Sequence, residues 1–293
     1  MDAAIRKAEV LIEALSYIRN FRDRLTVIKL GGSAMEDPHT LRATLQDVVF
    51  METVGMRPIL VHGGGKAIDR AMTASGLQPR KVQGRRYTDP ETLKIVVHVL
   101  LRGVNAGIEK QIRDLGGRAV GLHSGSLQCL FGERLTLPGP KGNRIDLGHV
   151  GHITRVDGAL IGDFCAAGVI PVIPSLAYDA EENWLNVNGD TAAAAVAAHL
   201  KAEKLVFLTD TPGILRDRSD PGSLIHGVDA VGCEELIAGM VIDGGMIPKV
   251  EACLESLRAG VRKTHMIDGR LPHSLLLEIY TDQGIGTEIV LES

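Results

Sequence analysis

Two segments of this 293-residue chain carry an apolar run into glycines beside a lysine. Leu25–Leu30 leads into Gly31 and Gly32 with Lys29 just before them, and Pro58–His62 leads into Gly63, Gly64 and Gly65 with Lys66 just after. Glycine lets the backbone approach a phosphate closely, successive N–H groups form an anion cradle, and a flanking lysine adds charge. Neither turn is a P-loop, because Leu60 stands where the first glycine is needed and Ala67 follows the lysine. The dinucleotide GxGxxG and the protein-kinase signatures are absent as well. His62–Gly65 also fits the oxyanion loop of some esterases, but Gly121–Gly125 puts His123 where their nucleophilic serine belongs.

Three further constellations could do chemistry. Asn186, Asn188 and Asp190 alternate just before an alanine-rich run. They read either as a helix cap or, in an extended segment, as one face of amides and a carboxylate. Lys249 follows Pro248 in what reads as the first turn of a helix. A cation there opposes the helix dipole, so it makes more sense facing an anion. Arg86, in a loop, is a solvated cation or a guanidinium fork for a carboxylate.

The elements that must position these groups alternate apolar strands with helices. After LTVIKL a helix is expected from about His39 to Val54, and after PILVH another from about Lys66 to Ser75. GVIPVIPSL and KLVFLTD read as buried parallel strands with helical TAAAAVAAHL between them. This rhythm predicts a mostly parallel α/β sheet covered on both faces. Ligands then bind outside the carboxyl ends of the strands, where the glycines at 31–32, 63–65 and 189 fall. Residues 125–156, with Pro138, Gly139, Pro140 and Gly142, read as hairpins and loops.

The first two dozen residues form an amphipathic pattern, with Ile5, Ala8, Leu11, Ile12, Leu15 and Ile18 on one face. That face suits packing on its own domain or on a neighbouring subunit equally. No linker divides the chain, which reads as one domain over 1–293. Net charge is −4 without a Lys/Arg block, which excludes the basic footprint of a nucleic-acid binder. No apolar run reaches the ~18 residues that span a membrane. Cys129, Cys165, Cys233 and Cys253 form no CxxC pair and read as buried thiols of a cytoplasmic protein.

Together KLGGS, VHGGGK, GRRYTD, NVNGDTAAAA, LTDTPGI and GGMIPK, in this order over nearly the whole chain, resemble the acetylglutamate kinase branch of the amino acid kinase family. The resemblance implies an open, mainly parallel sheet sandwiched between helices, with an extra N-terminal helix. It implies an N-acetyl-L-glutamate lobe over 23–180 and an ATP lobe over 181–293. Lys29 and Lys249 would flank the transferred phosphoryl group, with Asp190 holding both lysines. Gly31 and Gly32, with Gly64 and Gly65, would offer N–H groups to phosphoryl oxygens and substrate. Arg86 and Asn186 would bind the α-carboxylate, and Thr209, Asp210 and Gly213 would lie against the nucleotide. Magnesium would arrive on ATP, with no metal site built from protein side chains alone. The acceptor carboxylate is ionised at neutral pH, so no general base is required.

The C-terminal stretch resembles the arginine-inhibited members of that branch. Residues 1–22 would then be the oligomerisation helix of a hexamer, a trimer of dimers. His265, Glu278 and Gly284 would line an arginine site beside it, and a nitrogen-signalling protein is a further partner class for such a ring. Two segments depart from the pattern, His123–Gln128 and Gly151-His152, both in the expected substrate lobe. Rival acceptors are N-acetyl-aminoadipate, glutamate, aspartate, carbamate and nucleoside monophosphates. A different class of reading is an arginine sensor that has lost turnover.

Overall fold

The computed structural model describes residues 2–139, 143–281 and 283–292, without the side chains of residues 2–4, 6–8, 10, 11 and 33. Helix α1 (Asp2–Phe21) precedes β1 (Leu25–Leu30), α2 (Pro38–Thr53), β2 (Arg57–His62) and α3 (Gly65–Ala74). A short hairpin, β3 (Lys81–Val82) and β4 (Arg85–Arg86), leads to α4 (Pro90–His98). The helix loosens to π-helical winding over Val99–Asn105 and continues as α5 (Ala106–Asp114). Next come β5 (Ala119–Gly121), β6 (Leu130–Pro138), β7 (Arg144–Val156), α6 (Gly158–Ala166), β8 (Ile170–Pro174), β9 (Leu176–Tyr178), β10 (Trp184–Val187) and α7 (Gly189–Leu200). The last part holds β11 (Lys204–Thr209), β12 (Gly227–Asp229), α8 (Ala230–Ala238), α9 (Ile247–Arg258), β13 (Lys263–Asp268), α10 (Ser274–Ile279) and β14 (Thr287–Val290).

Eight strands form one sheet in the order β12-β14-β13-β11-β1-β2-β8-β5. It is parallel except where β13 meets β14. Alternate residues of the central strands feed two cores, as the strand period requires. Val27, Ile59, Val61, Leu205 and Phe207 pack with Ala192 of α7 and Val250 of α9. Ile28, Leu30, Leu60, Val206 and Leu208 pack with α2, α5 and α10. Burial on both faces is why these strands read as unbroken apolar runs. The order in which strands are added reverses between β1, which leads outward to β2, and β11, which leads outward to β13 on the other side. That switch point opens a crevice at the strands' carboxyl ends.

Local signals set several boundaries. The Asp37 carboxylate accepts from Thr40 N at 2.7 Å and Pro38 opens α2. Asp89 and Pro90 repeat the arrangement at α4, with Thr92 N at 2.8 Å. Each such cap is worth about 1 kcal/mol.

Two expectations need correction. GVIPVIPSL is two strands: β8 lies in the main sheet and β9 in a separate four-stranded barrel with β6, β7 and β10. The break falls at Ser175, whose N–H bonds His62 O at 2.9 Å while its carbonyl accepts from Val187 N at 3.0 Å. Gly189 follows β10 of that barrel, not a strand of the main sheet. The hairpin expected within 125–156 is present, with β6 and β7 pairing antiparallel along most of that stretch. Pro140 and Gly142 of that stretch lie outside the described residues, as do the side chains of Ala8 and Leu11. Helix α1 divides its apolar face: Tyr17, Ile18 and Phe21 pack on the core, whereas Ile5, Ile12 and Leu15 are exposed. All four cysteines are free and buried. No helix among the described residues is long and apolar enough to cross a membrane.

Candidate active site

Three elements converge on one carboxylate. Lys29 lies one residue before the end of β1, Asp190 sits in the first turn of α7, and Lys249 in the first turn of α9. Lys29 Nζ lies 2.7 Å from Asp190 Oδ1, and Lys249 Nζ donates to Asp190 Oδ2 at 2.6 Å. Burial pushes the Lys29 ammonium below its ordinary range, with Asp190 opposing. Burial alone would raise the Asp190 carboxyl, but Lys29 and Lys249 outweigh it and hold it below the ordinary value. Two cations share one anion, so the three-residue cluster keeps a surplus positive charge, which Asp210 nearby counters in part. The shared carboxylate also offsets the poor placement of Lys249 at a helix N-terminus.

The cluster stands between two cavities. The first, of about 240 Å³, is lined by Lys29, Gly32, Gly64, Gly65, Arg86, Asn186 and Asp190, among others. Arg86 is anchored rather than solvated: Nη1 pairs with Asp69 Oδ1 at 2.5 Å and Nη2 donates to Gly65 O at 3.1 Å. Asn186 Nδ2 donates to Thr88 Oγ1 at 3.1 Å. The second cavity, of about 460 Å³, is lined by Thr209, Asp210, Gly213, Ile242, Met246 and Lys249, among others. Thr209 is buried and its hydroxyl donates to Thr211 O at 2.7 Å.

Gly31 has a packing reason to be glycine, because a Cβ there would lie 2.5 Å from Leu208 O of β11. Lys66 does not serve the glycine turn that it follows. It pairs with Glu36 and lines a separate cleft. Asn186, Asn188 and Asp190 do not form one extended face either. Asn186 is on β10, Asn188 caps α7 by accepting from Asp190 N at 2.8 Å, and Asp190 is helical. All three nevertheless border the first cavity, so Asn188 both caps α7 and lines the site. Neither His123–Gln128 nor Gly151-His152 is among the described residues lining the first cavity.

Ser175, Lys81 and Arg85 also line the first cavity and escaped sequence reasoning. A serine closing a proline-interrupted strand was a usable signal for Ser175; the two cations carried none. Asp69, which anchors Arg86, is one polar helix residue among many.

His265, Glu278 and Gly284 meet elsewhere, in a cavity of about 480 Å³ that Tyr17 and Phe21 of α1 help to line. His265 Nδ1 lies 2.7 Å from Glu278 Oε1. Glu278 Oε2 accepts from Ile285 N at 2.7 Å and Gly286 N at 2.9 Å. Burial pushes His265 below its ordinary value with Glu278 opposing, so the imidazole is neutral and donates from Nδ1. Lys204 Nζ, 3.2 Å from Nε2, completes the chain. At Gly284 φ is +62° and a Cβ would lie 2.6 Å from Glu278 Oε2. Among the described residues, no three His, Cys, Asp or Glu side chains gather as a metal cluster.

Residues 24–268 match the amino acid kinase family. The acetylglutamate kinase of Pelotomaculum thermopropionicum is 48% identical over 294 residues, covering 99% of each chain. That of Akkermansia muciniphila is 43% identical over 289 residues, 98% of this chain and 97% of its own. Among solved structures, the N-acetylglutamate synthase of Neisseria gonorrhoeae complexed with coenzyme A and N-acetyl-glutamate superposes with a TM-score of 0.84 at 27% identity. The match covers 98% of this chain and 64% of the longer synthase. Giardia carbamate kinase, 14% identical with a TM-score of 0.64, shares the fold. The chain belongs to the amino acid kinase family and, within it, to the acetylglutamate kinases.

Proposed function

We propose that the protein transfers the γ-phosphoryl group of ATP to the side-chain carboxylate of N-acetyl-L-glutamate, giving N-acetyl-glutamyl 5-phosphate for arginine biosynthesis in the cytoplasm. The observation that carries this reading is the Lys29–Asp190–Lys249 cluster standing between two cavities. A carboxylate oxygen attacks the γ-phosphorus, the bond to the β–γ bridging oxygen breaks, and ADP leaves with that electron pair. Both partners are anions, so the barrier is electrostatic, and the surplus positive charge sits where they meet. Asp190 commits both oxygens to ammonium groups, so a magnesium ion would stay on ATP phosphates and water.

The acceptor belongs in the first cavity, held mainly by the lobe 23–180 and closed by residues 186–190, with Arg86 and Asn186 toward its α-carboxylate and Gly64 and Gly65 N–H groups toward the reacting end. Gly32, with Gly31 shaping the turn, borders the phosphoryl group. The larger, more apolar second cavity, in the lobe 181–293, suits ATP, with Thr209, Asp210 and Gly213 against the nucleotide. The two departing segments lie off the lining of the first cavity, which favours N-acetyl-L-glutamate over the rival acceptors.

The test is incubation with Mg-ATP and N-acetyl-L-glutamate, trapping the acyl phosphate with hydroxylamine. Glutamate, aspartate and N-acetyl-aminoadipate run in parallel. Hydroxamate from N-acetyl-L-glutamate alone is expected; hydroxamate only from another acceptor would move the substrate, and none at all would sink the kinase reading.

Arginine inhibition belongs to the same proposal. A cavity bounded by α1 and holding Glu278, Glu288 and His265 offers carboxylates to a guanidinium. The exposed Ile5, Ile12 and Leu15 on α1 suit contact with a second copy, as a hexamer built from dimers requires. A nitrogen-signalling protein would dock on that ring. Light scattering with and without residues 1–22 tests the assembly: a variant lacking them that keeps the full-length mass would remove α1 from it.

A further inference from the structure

Behind the glycine turn that ends β2 lies a buried polar pair that the proposed reaction does not use. His62 and Asn105 are both fully buried. Asn105 Nδ2 lies 3.0 Å from Val172 O and 3.0 Å from His62 Nε2. His62 Nδ1 lies 3.0 Å from Gly63 O.

Both ends of this chain are main-chain carbonyls, which only accept. The amide must therefore face Val172 with its nitrogen, and its second hydrogen meets His62 Nε2 as an acceptor. The imidazole proton is then on Nδ1 and is donated to Gly63 O. Burial pushes His62 down to about 4, with the Gly63 bond opposing, so the ring is neutral at ordinary pH. Asn105 Oδ1 is buried without a partner. It faces Gly121, where any Cβ would run into it. A buried amide that leaves its acceptor unused is held there for its donor side.

The helix winding supports the same reading. Residues five apart lie about 140° apart around a regular α-helix. The π-helical stretch brings Leu100 and Asn105 onto one side instead. Leu100 Cδ2 braces the turn at Gly64, 2.6 Å from where a Cβ would be, and Asn105 braces it through His62. In a trans peptide the C=O and the following N–H point opposite ways. Drawing the Gly63 carbonyl back toward His62 therefore turns the Gly64 N–H away from the ring and outward from this buried support.

We infer that Asn105 is a positioning residue for the phosphoryl transfer: it fixes His62 as the Nδ1–H tautomer, and His62 in turn sets the Gly64 N–H on the turn that lines the acceptor cavity. This rests on the proposed reaction. It gives Asn105 an effect on the acceptor cavity and none on the nucleotide cavity.

The test combines ¹⁵N imidazole spectra with kinetics. In the intact protein, His62, assigned through its absence in His62→Gln, is expected as a single Nδ1–H tautomer. Asn105→Leu removes the donor at similar volume. It is expected to lower kcat/KM for the acceptor about 10- to 100-fold while KM for ATP holds, and to release the tautomer preference. A wild-type Nε2–H tautomer would overturn the inference, and this readout stands even if the leucine variant does not fold. A folded Asn105→Leu protein with undiminished acceptor kcat/KM overturns the positioning role alone. A wild-type protein inactive with every acceptor would instead bring down the proposed reaction.

Discussion

Two buried charge clusters sit at opposite ends of adjacent parallel strands, and they are balanced differently. Lys29 lies near the carboxyl end of β1, while Lys204 opens β11, next to Thr26 in the ladder. At the first, two lysines share Asp190 and a positive charge is left over. At the second, Lys204, neutral His265 and Glu278 form a closed chain, with two backbone N–H groups on the carboxylate. Lys263 and Glu288 pair beside it at 2.9 Å, so the formal charges cancel. A cluster with surplus charge is completed by an anionic ligand, and its energy is available where charge develops. A balanced cluster is complete alone, so a ligand there must displace existing partners. The first arrangement suits chemistry, and the second suits an occupancy-dependent change of packing.

Lys249→Met breaks the first cluster and leaves the second. Turnover is expected to fall at least about 1000-fold while arginine binding, measured by calorimetry, is unchanged. Undiminished turnover would remove Lys249 from the mechanism. Asp190→Asn strands two ammonium groups side by side, that of Lys29 buried and that of Lys249 half-buried. Alongside lost turnover, denaturant titration should show about 3–5 kcal/mol less stability, the usual cost of breaking a buried pair. An unchanged unfolding midpoint would mean that Asp190 does not carry the charge balance of the site.

The sequence made the first cluster far more legible than the second. Lys29, Asp190 and Lys249 lie on strand and helix ends whose boundaries are written locally, in apolar runs, glycines, Asn188 and Pro248. What pattern reading missed comes from distant partners. Lys66 resembles a phosphate ligand until Glu36 claims it, and the role of Asp69 appears only when Arg86 arrives from another element. Ser175 belongs to a bend between two sheets, which a run of apolar residues hides. The π-helical stretch has no sequence signature, so nothing in the sequence singles out Asn105. His265 and Glu278 came from family resemblance alone, because nothing local joins a strand residue to a short helix.

Glu278→Gln breaks the second cluster and leaves the first. The amide cannot accept from His265 and two N–H groups as a carboxylate does, a loss of about 1–3 kcal/mol. Arginine inhibition should weaken by about tenfold or more, with initial rates in the absence of arginine unchanged. Inhibition of wild-type strength would move the proposed arginine site elsewhere.

The smallest expected effect is a slope. Burial holds folded His265 below its ordinary value of 6.5, with Glu278 opposing. As pH falls below that value the unfolded chain takes a proton that the folded chain refuses, so stability present at higher pH is progressively lost. His62, pushed down to about 4, acts in the same direction. Asp47, raised by burial to about 6, acts oppositely, adding stability as pH falls from there toward 3.8. Between about pH 6 and 7 the histidines dominate. Unfolding free energy measured across that window should therefore decline less steeply in His265→Gln than in the wild type. The first cluster holds no histidine, so turnover of the variant should track the wild type over the same window. An identical stability slope would mean that His265 titrates alike in the folded and unfolded chains. The second cluster would then be open to water, and the contrast with the first would rest on charge count alone.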